Sequence, residues 1–229
     1  MGDVQGRRSS VEDEFSAEDR SALYRIIERR RDVRAFRSDP VPDDVLSRML
    51  TAAHLAPSVG FMQPWNFLVI RDPETKREVK AMVARENERA AHNYTGERAT
   101  LYRSLKLEGI EEAPINLCIT CDRTRSGPHV LGRNTVVDTD LYSTCCAVEN
   151  LWLAARAEGV GVGWVSIVDN DDLRRILAIP DAILPVAYLC VGYAEEFLPT
   201  PELERRGWAE RLPLDELIFV DRWGQRADR

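Results

Sequence analysis

One junction restricts the fold more than any other stretch. Residues 141–158 carry the most apolar helix pattern of the chain, with Leu141, Cys145, Val148, Trp152 and Ala155 at helical spacing, and Gly159 ends it as helix C-termini favour. Gly159-Val160-Gly161-Val162-Gly163-Trp164 follows, with glycine spacing close to a dinucleotide-binding fingerprint. That fingerprint needs a strand before it and a helix after it, and here the order is reversed. The run therefore belongs to the start of a strand, where missing side chains let the backbone and Trp164-Val165-Ser166 approach a ligand closely. Strand patterns at 66–70, 115–121 and 185–191 alternate irregularly with helices. The expected architecture is one α+β domain with a mainly antiparallel sheet flanked by helices.

Two polar stretches stand out against that frame. Residues 29–37 place Arg29, Arg30, Arg31, Arg34 and Arg37 around Asp32 at the end of an amphipathic helix. Guanidinium forks donate paired hydrogen bonds at fixed geometry, which suits a phosphate. Residues 56–66 hold Ser58, Gly60, Gln63 and the flat rings of Phe61 and Trp65, chemistry that suits the edge and face of a planar heterocycle. Taken singly, the first is a solvated helix end and the second is ordinary core. Together they point to a phosphorylated, ring-containing cofactor.

The 229 residues fit one large domain or two small ones. A formal net charge of −7 argues against nucleic acid or an anionic membrane as partner, so the arginine cluster stands out as a local site. No apolar run approaches the ~20 residues of a membrane span. Residues 1–14 lack the apolar core of a signal peptide and are expected to form a disordered leader before a single domain over 15–229. Cys118 and Cys121 form a C-x-x-C on a strand, where they face opposite sides, and Cys145, Cys146 and Cys190 lie in apolar contexts. Reduced, buried cysteines and a cytoplasmic setting are expected. His54, His92 and His129 have no ligand spacing, and no metal is expected.

Ser16 and Asp19 make a capping-box-like helix start, with Leu23, Ile26 and Ile27 as its apolar stripe. Pro42-Asp43-Asp44 opens a second helix with Val45, Leu46, Met49, Leu50 and Ala53 on one face. Residues 74–112 are polar and helix-favouring without one strong apolar stripe. This is either a solvated excursion or, over about 80–112, a mobile lid on the ring site. A short helix is expected over 171–177. The tail, 198–224, carries a strand-like Leu217-Ile218-Phe219-Val220, and its apolar residues call for a second copy to bury against.

The R-R-x-x-R-x-F turn, the A-P-S-x-x-x-x-Q-P-W-x-F segment, the helix leading into G-x-G and the closing Asp221-Arg222-Trp223-Gly224 resemble the flavin-dependent nitroreductase family, from about residue 16 to 224. The resemblance implies a homodimeric, FMN-binding α+β sandwich whose C-terminal extension embraces the partner. It implies that Arg30, Arg31, Asp32, Val33 and Arg34 meet the FMN phosphate and ring edge and that Arg211 helps neutralise the phosphate. Ser58, Met62 and Gln63 would reach the flavin from the other subunit, with Val165 and Ser166 beside the ring. The family usually has Ser where this chain has Asp32, and a Ser/Thr-Asn pattern where it has Val59-Gly60-Phe61-Met62. Those departures are similar to a flavin-consuming branch of the family. There, reduced FMN reacts with O2 to give 5,6-dimethylbenzimidazole, the lower ligand of vitamin B12, and erythrose 4-phosphate. A separate flavin reductase would supply the reduced flavin.

Two readings of Asp32 stay open on the residues. A carboxylate among phosphate-binding arginines weakens binding, so it either serves as a general base toward the ribityl carbon attached to the ring, or it caps a turn and pairs with Arg34. Ser166 either hydrogen-bonds the ring near its reactive nitrogen or is a plain strand serine. An NAD(P)H-dependent nitroreductase or flavin reductase shares the fold, and a non-catalytic flavin-binding protein shares the arginine grip.

Overall fold

The computed structural model describes residues 14–226, so the expected leader falls outside it except for the exposed bend at Glu14. Four strands, β1 (Trp65–Ile70), β2 (Ile115–Asp122), β3 (Gly161–Val165) and β4 (Ile183–Gly192), form a sheet of order β1-β2-β4-β3. All three pairings are antiparallel, with Trp65 opposite Cys121, Cys118 opposite Tyr188 and Gly163 opposite Cys190. β2 is buried along its length except at Asp122, because both sheet faces are covered.

One face packs on α2 (Asp43–His54) and α5 (Thr139–Ala157), through Leu46, Met49, Ala147, Leu151 and Ala155 against Leu117, Ile119 and Leu189. The other face packs on α3 (Pro73–Ala91) and α6 (Asn170–Leu177), through Val79, Met82, Val83 and Leu173 against Cys118, Tyr188 and Cys190. Cys118 and Cys121 thus serve opposite layers, Cys121 lying beside Thr144 of α5. α1 (Ala17–Arg29) starts with the full capping box between Ser16 and Asp19.

Four expectations are corrected. α3 does carry a stripe, Val79, Met82 and Val83, and it buries Lys76, whose Nζ donates to the carbonyls of Ala113 (2.6 Å) and Pro114 (3.1 Å). The polar spacing of its outer face hides this from a count of apolar residues. Cys145 and Cys146 are exposed, because the inner face of α5 begins with Asp140, Ser143, Thr144 and Ala147. Leu217 closes a 3-10 turn (Leu214–Leu217), and no strand forms over 217–220, since no neighbouring strand is there to pair with it. The α1 stripe meets no core: Leu23 is 51% exposed and Ile27 46%.

Candidate active site

After α1 the chain turns at Arg30 and runs beside β3. Val33 N–H donates to the Val162 carbonyl at 2.9 Å, and Asp32 bridges Val162 in parallel register. The glycines of β3 make this approach possible. A Cβ on Gly161 would sit 2.9 Å from a Val33 methyl, and one on Gly163 would sit 2.8 Å from Arg34 Nη1 and closer still to the Val33 carbonyl oxygen. The glycine run therefore seats the arginine turn on the sheet, where the sequence suggested close approach of a ligand. Val33, expected to meet the cofactor, is buried in the core and is not among the residues that line the arginine cleft.

That seating fixes Asp32. Its Oδ1 accepts from Trp164 N–H at 2.8 Å and its Oδ2 pairs with Arg34 Nη2, which also donates to the Trp164 carbonyl at 2.8 Å. The Asp32 side chain is 42% exposed, yet it lies in a concavity whose walls exclude much of the solvent. Burial there pushes its carboxyl above the ordinary value of 3.8, against the opposing pull of Arg34, the Trp164 N–H and Arg30.

The concavity is a cleft of ≈610 Å³ that brings together Arg30, Arg31, Asp32, Arg34 and Arg211. The arginines differ in what they hold. Arg31 donates to the carbonyls of Leu198 (3.0 Å), Pro199, Glu28 (2.7 Å) and Arg30 (2.6 Å), so its fork ties the tail to the turn. Arg30 lies 4.7 Å over the Trp152 ring and reaches Glu149 only at 3.8 Å. Arg34 Nη1 is buried with no hydrogen-bond partner. Arg30 and Arg211 in the lining, together with Arg34 and its unpartnered buried donor, fit a phosphorylated ligand.

Val165 and Ser166 border a neighbouring cavity of ≈250 Å³ that shares Trp164 with the Asp32 network; Ser166 is exposed and Val165 buried. Ser58, Met62 and Gln63 do not line the arginine cleft of their own chain. They occupy a turn with left-handed backbone at Gly60 (φ 59°), Phe61 (φ 52°) and Gln63 (φ 46°), in which Met62 is 2% exposed. Gly60 is required twice over, because a Cβ would also sit 2.5 Å from Val130. Such a turn persists only when its surroundings over-determine it. Ser58 Oγ accepts from Gln63 N–H (3.1 Å) and Ser143 Oγ from Val59 N–H (3.1 Å). Arg125, which the sequence did not single out, donates to the carbonyls of Gln63 (2.7 Å) and Trp65 (2.9 Å) and to Asn66 Oδ1. Arg125→Ala is expected to lower unfolding free energy by about 2 kcal/mol, measured by chemical denaturation. An unchanged midpoint would show that the turn holds without it.

Residues 27–193 match the model of the nitroreductase family. The chain belongs to the nitroreductase family. A 5,6-dimethylbenzimidazole synthase from Rhodospirillum rubrum is 43% identical over 199 residues, covering 87% of this chain and 94% of that protein. Another, from Rhodobacter capsulatus, is 40% identical over 201 residues, covering 88% and 97%. Iodotyrosine deiodinase, solved with FMN and 3-iodo-L-tyrosine bound, matches with a TM-score of 0.68 at 22% identity over 89% of this chain and 99% of that one, a likeness of fold.

Beyond Arg125, spacing did not show that Leu105, Lys106 and Leu107, inside the stretch read as an excursion or lid, would meet Pro199, Pro201 and Leu203 of the tail in one wall. The two prolines were the available signal, since they stiffen a segment without forming an element. Among the described residues no three His, Cys, Asp or Glu side chains converge as a metal site, and no helix is long and apolar enough to cross a membrane.

Proposed function

We propose that this nitroreductase-family chain fragments reduced FMN with O2 to 5,6-dimethylbenzimidazole and erythrose 4-phosphate, the route to the lower ligand of vitamin B12. The observation that carries the reading is Asp32: a carboxylate fixed by Trp164 N–H and Arg34 in the lining of an arginine-lined cleft. The two synthases similar over most of the chain support it. Bound reduced FMN supplies the electrons for O2 and is itself the material consumed.

The chain's residues then divide the work. Arg30 and Arg211 hold the phosphate, while Arg31 keeps the tail against the turn. Arg34 uses one face of its guanidinium to orient Asp32 and offers Nη1 to the ligand. Asp32 takes the proton from the ribityl carbon attached to the ring, since a base works best when its pKa is moved toward the working pH. Ser166 offers its hydroxyl to the ring edge. Any lid would be confined to the loop after α4 (Gly96–Arg103), because α3 is fastened to the core.

A second copy completes the site in this reading. The exposed Leu23 and Ile27 of α1, and Leu212, Leu214, Ile218 and Trp223 of the tail, supply apolar surface for it. Sedimentation of the purified protein is expected to give a dimer, and a monomer would remove the shared site. Five free cysteines suit a reducing, cytoplasmic setting. A separate flavin reductase delivers the reduced flavin, so the protein alone oxidises NAD(P)H slowly. Brisk NADPH oxidation with a nitroaromatic acceptor would favour an ordinary nitroreductase instead.

A further inference from the structure

The tail from Leu198 to Arg211 contains only a one-turn helix, α7 (Glu202–Arg205), yet it forms a wall of the arginine cleft. It is pinned at two places. At its entry, Arg31 holds the Leu198 and Pro199 carbonyls. At its exit, Trp208 enters an aromatic knot with Tyr94 (centroids 5.3 Å apart, 76° between planes) and Tyr102 (6.0 Å), which are themselves stacked at 4.7 Å. Arg98 closes the knot: its guanidinium lies 3.6 Å over the indole and its Nη1 donates to the Trp208 carbonyl at 2.9 Å. Arg206 Nη2 adds a bond to Ser104 Oγ at 2.7 Å, and Tyr102 OH ties the knot to α3 by donating to Asn87 at 2.6 Å.

Between the pins lie Pro201 and Leu203 of the wall, and Arg211 follows three residues beyond the knot. Burial lowers the pKa of the Arg31 guanidinium most, the neighbouring charge of Arg30 adds to that, and Arg211 is close enough to contribute in the same direction. Two cations thus lie near one another in the cleft, the second of them three residues beyond the knot. Trp208 and Tyr94 belong to neither core layer, so Trp208 can be truncated without opening either of them.

We propose that Trp208 is a positioning residue: with Tyr94, Tyr102 and Arg98 it pins the 198–211 strap, keeps Arg211 on the anion cleft and sets how long a phosphorylated ligand stays bound. The ligand part of this inference rests on the flavin reading above. The strap itself does not.

The test uses the full-length protein, Trp208→Ala and Trp208→Phe. FMN dissociation is followed by stopped-flow fluorescence, and the ligand-free proteins are compared by limited proteolysis. An aromatic contact and a cation–π contact together predict roughly tenfold faster FMN release from Trp208→Ala, with Trp208→Phe restoring much of the loss. Ligand-free Trp208→Ala is cut faster within 199–211 while its main unfolding transition stays in place. Equal release rates in wild type and Trp208→Ala overturn the ligand role, and equal cleavage rates overturn the pin. A wild type that binds no FMN removes the flavin reading and the ligand role with it, while the cleavage comparison still decides the pin.

Discussion

Asp32→Asn is expected to lower 5,6-dimethylbenzimidazole formation by about 10²- to 10⁴-fold, the usual contribution of a positioned base, while the protein still folds and binds flavin. Asparagine keeps an oxygen to accept the Trp164 N–H; its NH2 replaces the oxygen that paired with Arg34, whose Nη2 keeps its bond to the Trp164 carbonyl, so the turn survives the change. Removing a negative charge from an arginine cleft also favours a phosphate, so flavin affinity stays equal or rises. Burial raises the Asp32 carboxyl above 3.8 in the folded state, which makes its ionised form less favourable there than in the unfolded chain. Its stabilising contribution is therefore present below 3.8 and is lost as pH rises through the raised value. At neutral pH Asp32→Asn is accordingly expected to melt no lower than wild type. Activity runs the other way. The base works only when ionised, so the rate falls as pH drops through that same raised value, and this acid limb should be missing from the residual activity of Asp32→Asn. An Asp32→Asn protein that forms product at the wild-type rate would leave Asp32 as a turn-capping residue.

Gly163→Ala is the second large effect. A single methyl placed there meets the Val33 carbonyl and Arg34 Nη1, 2.8 Å away, and the carbonyl belongs to backbone that cannot swing aside. Val33 N–H is bonded to Val162 and its side chain is buried, so relief requires lifting the whole arginine turn off β3. Overpacking of this kind costs about 3 kcal/mol or more, and it displaces Asp32 and Arg34 together. We expect a lowered thermal midpoint and loss of both flavin binding and product. Gly159→Ala provides a contrast, because no atom lies within 4 Å of its Cβ and only the left-handed backbone (φ 76°) resists the change. Equal stability of Gly163→Ala and wild type would mean that the turn does not sit on β3 as described.

These two residues also show what the sequence could convey. Asp32 was legible because a carboxylate among arginines is locally anomalous, and the helix-then-glycine order correctly placed a strand after Gly159. The reason for the glycines was not legible, since Val33 lies far from Gly163 in the chain and spacing carries no information on which backbone arrives. The face of α2 could be read directly because Val45, Leu46, Met49 and Ala53 are all apolar. The inner face of α5 could not, because its first turns bury Asp140, Ser143 and Thr144 and leave Cys145 outside. Arg31, expected to grip phosphate, lines the cleft and also donates to carbonyls, two of them in the tail at Leu198 and Pro199, 167 and 168 positions away. The tail's apolar run at 217–220 resembled a strand only because β-propensity takes no account of whether a pairing edge is available.

The most direct test is a single-turnover experiment. The purified protein is loaded with reduced FMN without oxygen, air is admitted, and the small molecules are separated by chromatography and identified by mass spectrometry. The account predicts 5,6-dimethylbenzimidazole from wild type and only oxidised FMN from Asp32→Asn. Recovery of intact FMN from wild type would contradict it.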